Sequence, residues 1–228
     1  MRQSWCDLLF AHWRVDVNAL RPLIPAGLHI QQFDGSAWLG AVPFRMSGVM
    51  YRPLPDLPWL SAFPELNLRT YVECEGKPGV WFFSLDATNP LAVWAARKFY
   101  HLPYFRSAIS IHETRDGFAY SSVRRDTGVT FRARYRPSSE VFASSPGSLE
   151  AFLTERYCLY AQDPKGRLLR TEVHHAPWSL QNADAEIEQT DLHRPHHLPI
   201  QGPPELLHFS QRIDVIVWPP ELAPSKSW

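Results

Sequence analysis

Glu65, Asn67, Arg69 and Tyr71 alternate with Leu66, Leu68, Thr70 and Val72 in the segment Phe63–Val72. Side chains of an extended strand point to opposite faces in turn, so an acid, an amide, a guanidinium and a phenol share one face. An acid can move a proton, a guanidinium can hold an anionic group, and an amide both donates and accepts. The set has groups that could serve acid/base chemistry on a small ligand, with Glu65 as the candidate acid/base and Arg69 as one candidate anion holder. A solvated face of an antiparallel sheet would show the same alternation. The next extended segment, Val80-Trp81-Phe82-Phe83, is bulky on both faces, which argues against a wet side and for a lumen lined by this polar ladder.

Other clusters point less far. His174-His175, His193, His196 and His197, with Asp191 or Glu172 nearby, have the atoms for a metal. However, adjacent strand histidines face opposite ways, and His196-His197 lie among prolines, so no metal site is expected. His12, inside the apolar run Leu8–Trp13, reads as a hydrogen-bonded core or pocket residue. Arg132, Arg134 and Arg136 alternate with Phe131, Ala133 and Tyr135, so the basic face carries no aromatic ring to stack a base. That pattern fits a solvated edge or one basic wall of an anion pocket, and no nucleic-acid partner. There is no serine nucleophile elbow, phosphate-binding glycine loop or dinucleotide fingerprint, and no cofactor is expected.

The elements that must position these residues are mostly strands. Asp16 caps a short helix over Val17–Ile24, ended by Pro25. Leu28–Phe33 and Ser36–Met46 form a hairpin across Asp34-Gly35. Tyr51–Ala62, with three prolines, reads as a loop or lid. Glu65–Cys74 pairs with Val80–Asp86 across Glu75–Gly79. Asn89-Pro90 starts a helix running to about Tyr100, with Arg97 and Lys98 at its carboxyl end. Further hairpins join Phe118–Arg125 to Val129–Tyr135 and Cys158–Gln162 to Arg167–Val173, with a helix over Leu149–Tyr157 capped by Ser148 between them. Leu206–Trp218 is a last strand and Pro219 onward a frayed tail. The fold class is therefore α+β: a predominantly antiparallel, curved sheet closing into a β-cone or barrel, with a few peripheral helices.

Length and composition agree. A chain of 228 residues, 45% hydrophobic with nine tryptophans, reads as one domain over 1–228, and its 21 prolines favour extended segments over long helices. Balanced charge, 23 Lys+Arg against 23 Asp+Glu, gives no global field toward nucleic acid or anionic lipid. Cys6, Cys74 and Cys158 are odd in number and far apart, which fits reduced thiols in the cytoplasm. No signal pattern or apolar run of membrane-spanning length is present, so no membrane partner is expected; a homo-oligomer is compatible with the composition.

The segment Ala96-Arg97-Lys98-Phe99-Tyr100-His101-Leu102-Pro103-Tyr104-Phe105 resembles the motif of acetoacetate decarboxylases, whose pattern reads roughly Gly-Arg-Glu, a few residues, Pro, and a Lys-Lys pair. The chain more closely resembles the YqjF-like family of unknown function within that superfamily. The signature stretches are Phe10–Trp13, Leu23–Leu28, Asp34–Trp38, Val42–Phe44, Phe63–Val72, Gly79–Asp86, Arg97–Tyr104 and Glu155–Tyr157, together spanning most of residues 5–218. The resemblance implies a β-cone around a small-molecule pocket. It places Glu65 at the pocket glutamate, Arg97 at the motif arginine and Tyr104 at the position of the Schiff-base lysine. A phenol forms no iminium with a ketone, so imine-dependent decarboxylation is not expected. Lys98 reads as a solvated residue of the last helical turn. The resulting expectation is a small oxo or carboxylate compound bound by Asn67, Arg69, Arg97 and Tyr71, with Arg69 or Arg97 on its anionic group and Glu65 and Tyr104 acting on it by acid/base chemistry without a Schiff base. The alternative is a non-catalytic ligand-binding or sensor module on the same scaffold.

Overall fold

Long apolar alternations become long strands in the computed structural model, which describes residues 1–50 and 62–224. The loop expected over Tyr51–Ala62 lies outside these residues, apart from Ala62. The strands in chain order are β1 (Arg2–Val15), β2 (His29–Ile30), β3 (Ala37–Met50), β4 (Phe63–Cys74), β5 (Lys77–Ala87), β6 (Tyr104–Thr114), β7 (Gly117–Arg124), β8 (Thr130–Pro137), β9 (Cys158–Gln162), β10 (Leu168–His175), β11 (Gln181–Thr190), β12 (Leu206–Val217) and β13 (Glu221–Leu222). Three short α-helices accompany them: α1 (Val17–Leu20), α2 (Pro90–Phe99) and α3 (Leu149–Thr154). No helix among the described residues is long and apolar enough to cross a membrane.

The strands form one mixed sheet in the order β13-β10-β9-β5-β6-β7-β8-β11-β12-β1-β3-β4-β2. Two additional pairings, β5 with β4 and β10 with β12, bring the sheet back upon itself. It therefore curves into a partial ring rather than a complete barrel. Pairing is predominantly antiparallel, as expected, but β5 runs parallel to both β6 and β9. The approach of β9 depends on Gly79, where a Cβ would come within 2.7 Å of Cys158 Sγ and 2.8 Å of Cys158 O.

The central strands have no wet side. Leu9, Ala11, Leu39, Ala41, Leu66 and Leu68 enter one apolar core with Tyr120, Phe131, Tyr135 and Phe209. Their alternates Leu8, Phe10, Val42, Phe44 and Tyr71 enter a second core with Leu85, Leu159, Trp178 and Val215. This is the period-two pattern of a strand buried on both faces.

Several elements differ from the sequence reading. Of Leu28–Phe33 only His29–Ile30 is strand. The helix capped by Ser148 stops at Thr154, because Glu155 adopts ψ 72°. Pro219 onward is not wholly frayed, since Leu222 and Glu221 pair with Leu169 and Arg170. β6 and β11, which lack clean apolar alternation, were not predicted at all. The basic face of β8 is exposed and paired: Arg134 lies 3.3 Å from Glu188 and Arg136 2.9 Å from Asp184, while Phe131, Ala133 and Tyr135 are buried behind it. The basic face is thus solvated, but β8 is no edge: it is paired on both sides, with β7 and with β11.

Candidate functional site

The polar ladder of β4 lies on successive rungs of the sheet. Glu65 is paired with Phe44 and Ala87, Asn67 with Val42 and Leu85, and Arg69 with Gly40 and Phe82. Leu85 is in turn opposite Tyr104, the first residue of β6. The helix before Tyr104 sets its position. Asn89 caps α2 by accepting from the N–H groups of Leu91 and Ala92, with Pro90 at the first helical position. His101 then takes a left-handed conformation, φ 54°, which turns the chain out of the helix. Leu85 N–H bonds to Pro103 O at 3.0 Å and fixes the parallel start of β6.

Tyr104 consequently reaches across the rung to Glu65, and its hydroxyl donates to Glu65 Oε2 at 2.7 Å. Both side chains are buried. Burial pushes the Glu65 carboxyl up to about 8; the Tyr104 hydrogen bond works against that rise and the nearby charge of Asp86 adds to it. Tyr104 is held well above the usual phenol range, first by burial and then by the Glu65 carboxylate, so it stays a hydrogen-bond donor. Asp86 itself is neutralised on the other side of the wall. Arg124 grips it with Nε and Nη2, each at 2.8 Å, Ser107 donates at 2.6 Å, and the guanidinium lies 3.8 Å above the Phe105 ring.

Arg69 is buried, at 8% exposure. Its Nη2 donates to Leu153 O at 3.1 Å and its Nε to the Tyr71 hydroxyl at 3.4 Å. The carbonyls freed by the early end of α3 collect donors: Leu153 O takes Arg69, Phe152 O takes Arg156 Nε at 2.6 Å, and Thr154 O takes Trp178 Nε1 at 2.8 Å. A helix carboxyl end is partially negative and suits such cations. No carboxylate lies within ion-pair distance of Arg69 among the described residues. Behind it, His12 Nε2 lies 2.6 Å from the Tyr71 hydroxyl, and burial together with the Arg69 charge holds His12 well below the usual imidazole range, hence neutral.

These groups open on a cavity of about 90 Å³ inside the ring, lined by Glu65, Asn67, Arg69 and Tyr104. Its remaining wall is largely aromatic and aliphatic. Trp178 stands edge-on to Phe10 at 4.9 Å and stacks on Trp5 at 6.1 Å, and Phe44 tilts against Trp5 at 5.7 Å. Each water-sized occupant needs about 10–15 Å³ of such space, so the cavity fits a ligand of a few heavy atoms. At one polar rung it offers a carboxylic acid paired with a phenol, at the next an amide, and at the third a cation.

Glu65, Asn67 and Arg69 of the ladder and Tyr104 of the motif thus line one cavity. Tyr71 does not line the cavity; it stands one layer behind, between His12 and Arg69. Arg97 has to be corrected. It is exposed on α2, with its guanidinium 5.6 Å from the Phe105 ring, because its position on the last turn points outward. Lys98 is also exposed, over Trp94 at 5.1 Å, and no lysine lines the cavity among the described residues. Among those residues no three His, Cys, Asp or Glu side chains converge as metal ligands would. Sequence reasoning missed Gln3, Trp5 and Trp178, which come from segments far from β4. The signal available for them was the concentration of tryptophan in a chain with few long helices.

The comparisons with known proteins fall in line with this architecture. The family model for DUF2071, described as an uncharacterized conserved protein, matches residues 2–214. The uncharacterized protein YqjF of Bacillus subtilis (strain 168) is 46% identical over 220 residues, which are 96% of this chain and 90% of that protein. Among solved structures, the enduracididine biosynthesis enzyme MppR, complexed with the condensation product of pyruvate and imidazole 4-carboxaldehyde, superposes with a TM-score of 0.69 at 16% identity, covering 97% of this chain and 88% of that one. An acetoacetate decarboxylase-like enzyme from Sphingomonas wittichii RW1 superposes with a TM-score of 0.67 at 15% identity, over 98% and 92% of the two chains. At such identity these structures speak to the fold alone, whereas the family model and the Bacillus relative cover nearly the whole sequence. This chain belongs to the DUF2071 family of YqjF-like proteins, on an acetoacetate decarboxylase-like fold.

Proposed function

We propose that the cavity binds a small carboxylate-bearing oxo compound and that Glu65 moves a proton on it without a Schiff base. The observation that supports this most is the 2.7 Å Tyr104–Glu65 bond inside a cavity whose buried cation, Arg69, has no carboxylate partner among the described residues. An anionic ligand end would supply the counter-charge that a buried guanidinium calls for. A carboxyl poised at about 8 is a far stronger base when ionised than an ordinary glutamate, and at neutral pH it is also a ready acid. In the forward step the Glu65 carboxylate takes a proton from the carbon next to the ligand carbonyl. As it becomes the neutral acid, its hold on the Tyr104 hydroxyl weakens, and the phenol turns to the developing enolate oxygen. The return of that proton to another position, or attack of the enolate on a second carbonyl, would complete an isomerisation or an aldol-type reaction. MppR, which shares the fold, is known with pyruvate and with a pyruvate condensation product. That chemistry supports the substrate class.

The test is deuterium exchange at the carbons flanking the ketone of 4-oxopentanoate and 2-oxobutanoate, followed by proton NMR in D2O, with calorimetric titration of the same ligands. Wild type is expected to bind and exchange. Glu65→Gln should bind without exchange, and Tyr104→Phe should slow exchange by about 10²-fold, as loss of an oxyanion donor does. Binding without any exchange by wild type would instead establish a ligand-binding or sensor module. Absence of binding would refute the pocket assignment.

A further inference from the structure

Three residues that line the cavity each carry a buried polar atom with no protein partner among the described residues. These atoms are Asn67 Oδ1, Gln3 Oε1 and Trp5 Nε1. Asn67 is 5% exposed and Gln3 3%, so neither amide reaches bulk solvent. Asn67 occupies the middle rung, between the Glu65–Tyr104 pair and Arg69, and its strand neighbours Val42 and Leu85 offer no side-chain donor. Two-residue steps along a strand put Asn67 about 7 Å from Glu65 and from Arg69, Cα to Cα.

We propose that Asn67 determines specificity: it accepts a hydrogen bond from a hydroxyl or amine on the ligand, between the carboxylate held by Arg69 and the carbonyl beside Glu65 and Tyr104. The substrate class is then a hydroxy- or amino-substituted oxo acid, not a plain alkyl oxo acid. This rests on the cavity being the ligand site proposed above. A buried carbonyl-type acceptor left unmet disfavours whatever leaves it so. A site built to hydrogen-bond a ligand hydroxyl therefore rejects the analogue that lacks it far more strongly than an apolar pocket rejects a missing methylene. Gln3 Oε1 and Trp5 Nε1 supply a second acceptor and a donor to the same chamber, in keeping with a ligand polar along its length. Glu65 and Arg69 are four residues apart along β4, about 13 Å between their Cα atoms at strand spacing, so a ligand that meets both side chains is longer than a three-carbon acid.

The experiment compares 3-hydroxy-4-oxopentanoate with 4-oxopentanoate by calorimetric titration against wild type, Asn67→Leu and Arg69→Met, with thermal midpoints of each ligand-free protein. Wild type should bind the hydroxylated acid at least about tenfold more tightly, the equivalent of one modest hydrogen bond. Asn67→Leu should lose that preference while still binding 4-oxopentanoate, and its ligand-free thermal midpoint should equal or exceed that of wild type, because an unmet acceptor has been removed. Arg69→Met should weaken both acids alike. Equal binding of the two acids by wild type would overturn the role of Asn67 and leave the proposed function standing. A lower thermal midpoint for Asn67→Leu would mean the amide is a structural group and would also overturn it. Failure of wild type to bind either acid would refute the proposed function and this inference together.

Discussion

Replacing Glu65 with glutamine should change how stability depends on pH, by an amount set by its burial. The folded carboxyl ionises at about 8 against 4.5 for the same group in the unfolded chain. An acid whose folded value is raised binds more protons folded than unfolded throughout that interval. Its contribution is therefore intact below about 4.5 and is lost as pH rises toward 8. Each pH unit in the window removes about 1.4 kcal/mol, and the whole window approaches 5 kcal/mol. That is a large part of the roughly 5–15 kcal/mol that holds a domain together. Four histidines pull the other way: buried His12 and His208 and half-buried His193 and His196 are all held below the ordinary imidazole value, so they favour the fold at higher pH. They are common to both proteins, and the comparison of wild type with Glu65→Gln cancels them. Urea unfolding followed by tryptophan fluorescence at intervals from pH 5 to 9 would read the difference. Glu65→Gln should gain on wild type steadily from pH 5 to 8 and level off above it. In Tyr104→Phe the carboxylate loses its donor, so its loss of stability should move to still higher pH. Parallel curves for wild type and Glu65→Gln would show that Glu65 ionises like a solvated acid and would refute the reasoning.

Three other outcomes are expected. Borohydride treatment of the protein with a β-keto acid should leave no lysine adduct by mass spectrometry, since no lysine lines the cavity among the described residues and Lys98 lies on the exposed face of α2. Arg124→Met should destabilise by about 3–5 kcal/mol in chemical denaturation, because it strands the buried Asp86 carboxylate. Gly40→Ala should cost about 1–3 kcal/mol and disturb the His12–Tyr71 bond, because the new Cβ would come within 3.0 Å of His12 Nε2 and 3.2 Å of the Tyr71 hydroxyl.

Much of the ladder could be read from the chain because a strand's period is short and its consequences are local. Glu65, Asn67 and Arg69 had to share a face, and the bulky Val80–Phe83 segment left no wet side for them. Tyr104 was placed by motif resemblance, and the structure gives it a geometric reason in the left-handed turn at His101. Arg97 was misjudged for the complementary reason. A position in a motif says nothing about helical phase, and the last turn of α2 directs that side chain outward. The far wall of the cavity was not legible, since Gln3, Trp5 and Trp178 reach it only through pairings between distant segments. The donors collected by the end of α3 were hidden likewise, because the register at which Glu155 leaves the helix is a tertiary outcome.

The place of β1 has a consequence for how the molecule comes into being. It lies between β3 and β12, with Arg2 opposite Ile216 and His12 opposite Leu206, and the amino group of Met1 bonds to Val217 O at 2.7 Å. During synthesis β1 leaves the ribosome well before its partner β12, which follows about 10–40 s later at about 5–20 residues per second. Throughout that interval one edge of an apolar strand carrying Leu8, Leu9 and Phe10 has no neighbour, so the nascent chain is an open template for wrong pairing. Refolding should be slow, as it is for sheets assembled from distant segments. The chamber around Glu65 forms only when the carboxyl-terminal strand arrives to seal it.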